Sequence, residues 1–217
     1  MPDIKLTGLY YANKFALITF KAFEEVMGRN GLNAILNLAG LQQYINSWPP
    51  DNLDKEFDLA YYTALHVALE DMYGRRGGRG LALRAGRTLF ADALKGFGAM
   101  AGVGDLAFKV LPLQAKLRVG LPAMAGIFRQ FSDQVSFVHD EGDKYVYTYE
   151  MVDGQRRCPM CAPDRTAERP VCYTGQGLLQ ESVRWVSGGH EFKVDMVTCF
   201  ACGDDKGRYY IYKEPIT

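Results

Sequence analysis

The five cysteines of this 217-residue chain are the residues best suited to chemistry, and all of them lie after residue 157. They form the pair Cys158-x-x-Cys161, a single Cys172 and a second pair, Cys199-x-x-Cys202. A Cys-x-x-Cys turn directs two thiolates at one point, and two such turns supply the four sulfurs of a tetrahedral zinc site. An iron–sulfur cluster uses the same ligands and is the less favoured alternative. Five cysteines for four positions leave the role of Cys172 open.

Other catalytic patterns have little support. His66, His139 and His190 are far apart in the sequence, and no Gly-x-Ser-x-Gly motif is present. The glycine cluster at 74–80 does not follow a predicted strand, which both a phosphate-binding loop and a dinucleotide fingerprint require. The sequence therefore favours a binding protein over an enzyme.

The charge and hydropathy of the chain argue against several further classes of protein. Lys and Arg total 25 and Asp and Glu total 25, a balance that argues against direct nucleic-acid binding. The first residues lack the pattern of a signal peptide, and the most apolar stretch, 110–128, is interrupted by Lys116 and Arg118. We expect a soluble, cytoplasmic protein without a membrane span.

Helical periodicity dominates the first part of the chain. Helices are predicted at 14–27, 32–45, 58–73, 81–100 and 105–131. The last contains Pro112 and Pro122 and is expected to be kinked or split. The Gly/Arg segment 74–80 is predicted to be a loop. These helices contain many Leu, Phe and Met residues, which would form a helical core or, in the alternative, line an apolar ligand cavity.

The pattern then changes to alternation typical of strands. Strands are predicted at 134–140, 145–151, 191–199 and 208–213, with a helix at 174–186 and a polar loop at 153–170. The fold class expected is α+β, with a helical N-terminal layer packed on an antiparallel sheet of strand-strand-helix-strand-strand order and a Cys-ligated zinc site. We expect one ligand-binding domain over 1–217, mainly helical over 1–132 and with the sheet and cysteines in 133–217.

A family resemblance is concentrated in the last part of the chain. Its residues there are Pro170-Val-Cys172-Tyr-x-x-Gln176-Gly177-Leu-Leu, Trp185, Gly188, Val194 and Cys199-x-x-x-Gly203-Asp204. A less specific set in the helical part is Gly40-Leu41-x-x-Tyr44, Tyr73-Gly74 and Leu83-Arg84-x-Gly86-Arg87. Together they resemble the 4-vinyl-reductase-type domain family, whose members are often called hydrocarbon-binding proteins.

The resemblance implies a compact α+β domain similar to Golgi-transport tethering subunits and, more distantly, to haem nitric-oxide-binding domains. It also implies a small apolar or aromatic ligand, and structural zinc held by cysteines and one acid. Cys172 and Cys199 match two of the family's cysteines, whereas Met196 stands where the family usually has Glu. With the missing ligands replaced by the extra pair, the expected zinc ligands are Cys158, Cys161, Cys199 and Cys202, and Cys172 can displace one of them.

The function expected is therefore non-catalytic binding of a hydrophobic or aromatic ligand, for sensing or transport, in a zinc-stabilised homodimer. The alternative is a tetrapyrrole (bacteriochlorophyll) 4-vinyl reductase or its accessory protein, although no nucleotide fingerprint supplies reducing equivalents. The ligand would lie between the helical layer and the sheet. Its candidate contacts are Tyr44, Trp48, Phe97, Phe108, Phe128, Phe131, Tyr147 and Trp185.

Overall fold

The computed structural model describes residues 4–102 and 106–216. The N-terminal part contains β1 (Tyr10–Ala12), α1 (Asn13–Leu38), β2 (Lys55–Asp58), α2 (Leu59–Phe97), α3 (Leu106–Lys109) and α4 (Leu113–Phe131). The C-terminal part contains β3 (Ser136–Asp140), β4 (Lys144–Tyr149), β5 (Met151–Val152), β6 (Gln155–Arg156), α5 (Tyr173–Val186), β7 (Phe192–Thr198) and β8 (Gly207–Pro215).

The helices are longer than the sequence pattern predicts. The predicted loop at 74–80 is wrong, because α2 leaves helical geometry only at Gly74, with φ 69°, and then continues. Packing holds the continuation, because Ala82 and Ala85 are buried and Gly86 lies against the backbone of Thr174 in α5. The guanidinium of Arg79 also lies over the ring of Tyr173. Likewise α1 is interrupted only at Gly28.

The prolines of the predicted fifth helix have different effects. Pro112 separates α3 from α4, as expected, whereas Pro122 lies inside α4. The predicted start of this helix at Asp105 lies outside the described residues. In the described part of the chain, no helix is long and apolar enough to cross a membrane.

The main sheet has four antiparallel strands in the order β3-β4-β8-β7, and α5 lies in the sequence between its two hairpin halves. This confirms the α+β class and the strand-strand-helix-strand-strand order. Two shorter pairs, β1-β2 and β5-β6, were not predicted. Strands of two to four residues carry too little alternation to be recognised in a sequence.

Helix α5 separates two hydrophobic clusters. Leu178 belongs to a cluster formed mainly by α1 and α2, whereas Leu179 and Val183 belong to a second cluster formed with the sheet, α4 and the cysteines. Helix α5 is amphipathic, and its apolar side chains lie on two sides that each contact one of the clusters. The cavities described next lie along this helix.

Candidate functional site

The larger cavity, here called the outer cavity, lies between the C-terminal half of α2, one face of α4 and α5. Its volume is about 700 Å³ when the part open to solvent is included. Phe15 of α1 also reaches it, stacked between Phe97 and Phe128 at ring-centroid distances of 4.4 and 5.1 Å. Trp185, 41% exposed, also lines it and lies 6.0 Å from the ring of Phe90.

The lining of the outer cavity is almost wholly apolar. Among the described residues that form it, Lys116 and Ser182 carry polar side chains besides the Trp185 indole. Ser182 donates its hydroxyl hydrogen to the carbonyl oxygen of Leu179, 2.8 Å away. The site therefore suits a hydrophobic molecule.

A second, inner cavity has a volume of about 430 Å³ when the part open to solvent is included, and it shares Phe15, Phe128 and Leu178 with the first. Its remaining lining is more polar and comes from β1, α1, α2, β4, the start of α5 and the segments around 134 and 159–160. The polar side chains that line it are Tyr11, Thr19, Tyr62, His66, Gln134, Tyr149 and Thr174. All of them are buried.

His66 lines the inner cavity, and both of its ring nitrogens are occupied. Nδ1 lies 2.7 Å from the carbonyl oxygen of Tyr62, and Nε2 lies 2.6 Å from Oγ1 of Thr174. Because a carbonyl only accepts, Nδ1 carries the hydrogen and Nε2 accepts from Thr174. Burial lowers the pKa of His66 to about 4, aided by the charge of Arg165 and opposed by the bond to Tyr62. His66 is therefore neutral and structural at physiological pH.

The structure brings three of the eight predicted ligand contacts to the outer cavity: Phe97, Phe128 and Trp185. Tyr44 and Trp48 pack instead near the ring of Phe20, in the helical cluster. The other three lie beside the cavities rather than in their lining. They are Phe131 against Phe97, Phe108 within the core, and Tyr147, which is hydrogen-bonded to Gln134 and Ser136.

Four cysteines from three parts of the chain form a buried cluster. Cys172 Sγ lies 3.5 Å from the sulfurs of Cys158 and Cys161, and Cys161 Sγ lies 3.4 Å from that of Cys199. For four sulfurs around one ion at about 2.3 Å, tetrahedral geometry requires sulfurs about 3.8 Å apart. Cys202 is exposed, whereas the other four cysteines are buried.

Local backbone geometry aims these sulfurs. Cys158 and Cys161 lie in a turn closed by the bond from the Cys161 amide to the Cys158 carbonyl. Cys172 precedes α5, and its carbonyl accepts a hydrogen bond of 2.6 Å from the Tyr209 hydroxyl. At the end of β7, the Cys199 amide donates to the Asp204 carboxylate. Arg165 ties the first turn to α2 through an ion pair of 2.8 Å with Glu70.

The ionisation of the cluster is uneven. Burial raises the pKa of the Cys158 thiol, but hydrogen bonds from Cys161 and Cys172 outweigh it and bring the pKa down to about 5. Burial and the same bonds raise the pKa of Cys172 well above its ordinary value. A negative charge on one sulfur thus opposes ionisation of the next, and a bound cation would remove that opposition.

The fold matches solved structures of H-NOX (haem nitric-oxide-binding) domains. One is a doubly substituted variant of the Tt H-NOX, with a TM-score of 0.56, 13% identity, and coverage of 95% of this chain and 97% of that one. Another is the unliganded Fe(II) H-NOX protein from K. algicida, with a TM-score of 0.56, 9% identity, and coverage of 94% and 96%. A third is the Fe(II)NO H-NOX protein from S. oneidensis, with a TM-score of 0.53, 12% identity, and coverage of 92% and 98%.

No family model and no curated protein sequence matches the chain. The chain therefore has an H-NOX-like fold, in agreement with the more distant of the relations predicted from the sequence. Membership in the 4-vinyl-reductase-type family is not confirmed.

Zinc as the cofactor is a prediction that these structures contradict. The three matching structures named above are H-NOX domains, and those from K. algicida and S. oneidensis are Fe(II) states. The prediction of zinc rested on the Cys-x-x-Cys spacing. Such spacing identifies candidate ligands, but it does not identify the metal that a fold carries.

Haem does not fit the cavities of this chain. Haem iron takes His, Cys, Met or Tyr as axial ligand, and of these the described lining of the outer cavity offers only the thioether of Met124. In the inner cavity both nitrogens of His66 are occupied, and Met160 offers a thioether. Burial raises the pKa of the lining tyrosines Tyr11, Tyr62 and Tyr149, so the phenolate needed for ligation is not formed there. Nor does the described lining of the inner cavity contain a Lys or Arg for the propionates.

Sequence reasoning missed most of the cavity lining. Leu117, Leu121 and Met124 follow the helical repeat of α4, and they were assigned to a general apolar surplus. Periodicity shows that such a face is buried but not that part of its surface borders a void. In the sequence, Tyr149 is recognisable only as part of an alternating strand and Thr174 only as the start of a helix, so neither could be predicted to line a cavity.

Proposed function

We propose that this protein is a non-catalytic binding domain that holds a small apolar or aromatic molecule in the outer cavity. The observation that carries the proposal is the lining itself: a space of about 700 Å³ whose described walls are apolar apart from Lys116, Ser182 and the Trp185 indole. The stacked rings of Phe15, Phe97 and Phe128 offer faces and edges to an aromatic ligand. The resemblance to the 4-vinyl-reductase-type family supports the same ligand chemistry, and membership in that family is part of the proposal.

The test uses the position of the two tryptophans. Trp185 lines the outer cavity, whereas Trp48 does not, so the Trp48→Phe variant reports on the cavity through Trp185 alone. We expect saturable changes in its emission on titration with toluene or naphthalene. Ala93→Phe, which fills the cavity from α2, should weaken binding at least tenfold. Ala91→Phe, at an exposed position on the same helix, should leave binding unchanged.

Two results would refute this proposal. One is an emission that does not saturate with any of these probes. The other is equal binding by the Ala93 and Ala91 variants, because a ligand in the outer cavity must compete with a ring introduced there.

We further propose that Cys158, Cys161, Cys172 and Cys199 together bind one metal ion that prefers thiolate ligands. The support is their burial and the sulfur–sulfur distances of 3.4–3.5 Å. Elemental analysis of the purified protein identifies the metal. Cys172→Ser should remove most of it, whereas Cys202→Ser should leave the stoichiometry unchanged. Loss of the metal in Cys202→Ser but not in Cys172→Ser would contradict this proposal and favour the quartet with Cys202.

The predicted homodimer and the cytoplasmic location stay predictions. Light scattering of the purified protein gives the mass in solution and decides the first. A mass of one chain at micromolar concentration would contradict it.

A further inference from the structure

The hydroxyl groups around the inner cavity form a nearly complete set of hydrogen bonds. Tyr11 donates to Oε1 of Gln134, and Thr19 donates to the carbonyl oxygen of Phe15. Because the hydrogen of Thr19 is committed, Tyr62 is the donor in the 2.9 Å contact between these two hydroxyls. The hydroxyl of Thr174 is likewise committed to His66, as shown above.

Tyr149 is the exception. Its side chain is buried and lines the inner cavity, and its hydroxyl has no hydrogen-bond partner among the described residues, although its ring packs against those of Tyr147 and Tyr209. The Tyr149 oxygen is not one of the fully enclosed unpaired atoms of the described residues, because it borders the cavity. A ligand or a water molecule in the cavity can therefore accept its hydrogen. The inner cavity therefore presents one uncommitted O–H donor.

The start of α5 faces the same space. Thr174 and Gly175 line the inner cavity in the first turn of this 14-residue helix, where amide hydrogens lack intrahelical partners and the helix dipole is positive. The position of a Cβ at Gly175 would lie 3.0 Å from the Tyr149 oxygen, so the helix end and this hydroxyl are adjacent. Both features favour an electron-rich atom at one place.

We propose that the inner cavity is a specificity subsite for one end of the ligand. It binds an oxygen atom that accepts a hydrogen bond, such as a carbonyl oxygen, and the Tyr149 hydroxyl is the donor. The inference rests on the proposed function, since the apolar body of the ligand would lie in the outer cavity and reach past Phe15, Phe128 and Leu178. Tyr149 is thus a specificity-determining residue. A hydrocarbon without an acceptor leaves its hydroxyl unpaired.

The test compares two probes of similar shape, butyrophenone and butylbenzene, in the Trp48→Phe background. We expect Tyr149→Phe to change the ratio of the two dissociation constants about tenfold in favour of butylbenzene, the value of one net hydrogen bond. Tyr147→Phe is the matched control. Its hydroxyl bonds to Gln134 and Ser136 and does not line the cavity, so the ratio should not change.

The outcomes separate the two proposals. If neither probe binds the parent protein, the proposed function fails. If both bind and Tyr149→Phe leaves the ratio unchanged, the subsite inference is wrong and the proposed function stands. A second readout needs no variant: the infrared carbonyl band of bound butyrophenone should move to lower frequency than in hexane, and an unshifted band would also overturn the inference.

Discussion

The crossing of α2 and α5 depends on two glycines that face each other's backbone. A Cβ on Gly86 would lie 2.1 Å from the carbonyl oxygen of Thr174, and one on Gly177 would lie 2.1 Å from that of Leu83. Both obstacles are backbone atoms within helices, so neither can rotate away. Alanine at either position must separate the two helices, which also form walls of the outer cavity.

The cost can be estimated from the contact. A carbon and an oxygen atom do not approach closer than about 3.2 Å, so the two helices must move apart by about 1 Å. The interface between them is as densely packed as an organic crystal, so this movement disrupts other contacts. Overpacking of this kind costs about 1–3 kcal/mol, occasionally more, and the higher helix propensity of alanine returns up to about 1 kcal/mol. Since backbone and not side chain must move, we expect Gly86→Ala and Gly177→Ala each to lose about 3 kcal/mol.

Gly80→Ala is the matched control in the same helix. Gly80 is exposed and helical, and a Cβ there meets nothing within 4 Å. Its replacement should increase stability by about 0.5–1 kcal/mol. Urea denaturation followed by circular dichroism at about 222 nm measures all three. A Gly86→Ala protein within about 0.5 kcal/mol of the parent would show that the helices do not cross this closely.

Two further predictions concern buried polar residues. The pKa of His66 in the folded chain, about 4, lies below its ordinary 6.5, so the unfolded chain binds the proton more tightly. Stability from this residue is complete above about pH 6.5 and falls as the pH drops towards 4. We expect a loss of about 2 kcal/mol between about pH 7.5 and 5, absent in His66→Gln, and a parallel pH dependence in the two proteins would contradict this. Asp58 caps α2 by accepting from the Ala60 amide at 2.8 Å and also accepts from the amides of Thr7 and Gly8. Asp58→Ala should cost about 3 kcal/mol in urea denaturation, against less than about 0.5 kcal/mol for the exposed Asp54→Ala, and equal effects would refute the capping role.

Much of the architecture follows from local pattern. Helix α5 and strands β3, β4, β7 and β8 were predicted within a few residues, because each has a repeat long enough to identify its period. The continuity of α2 through 74–80 was not predictable. Local glycine content favours a loop, and packing of the continued helix against α5, which is far away in the sequence, reverses that preference.

The candidate site divides in the same way. The concentration of the cysteines in one region and the apolar content of the helices can be read from the chain, since composition and spacing are properties of the sequence. That Cys172 joins the cluster while Cys202 faces solvent, and that Tyr149 lies beside the start of α5 at a cavity, could be learned only from the folded structure. The reason is physical: burial and distance between residues far apart in the chain are set by packing, which one-dimensional spacing does not encode.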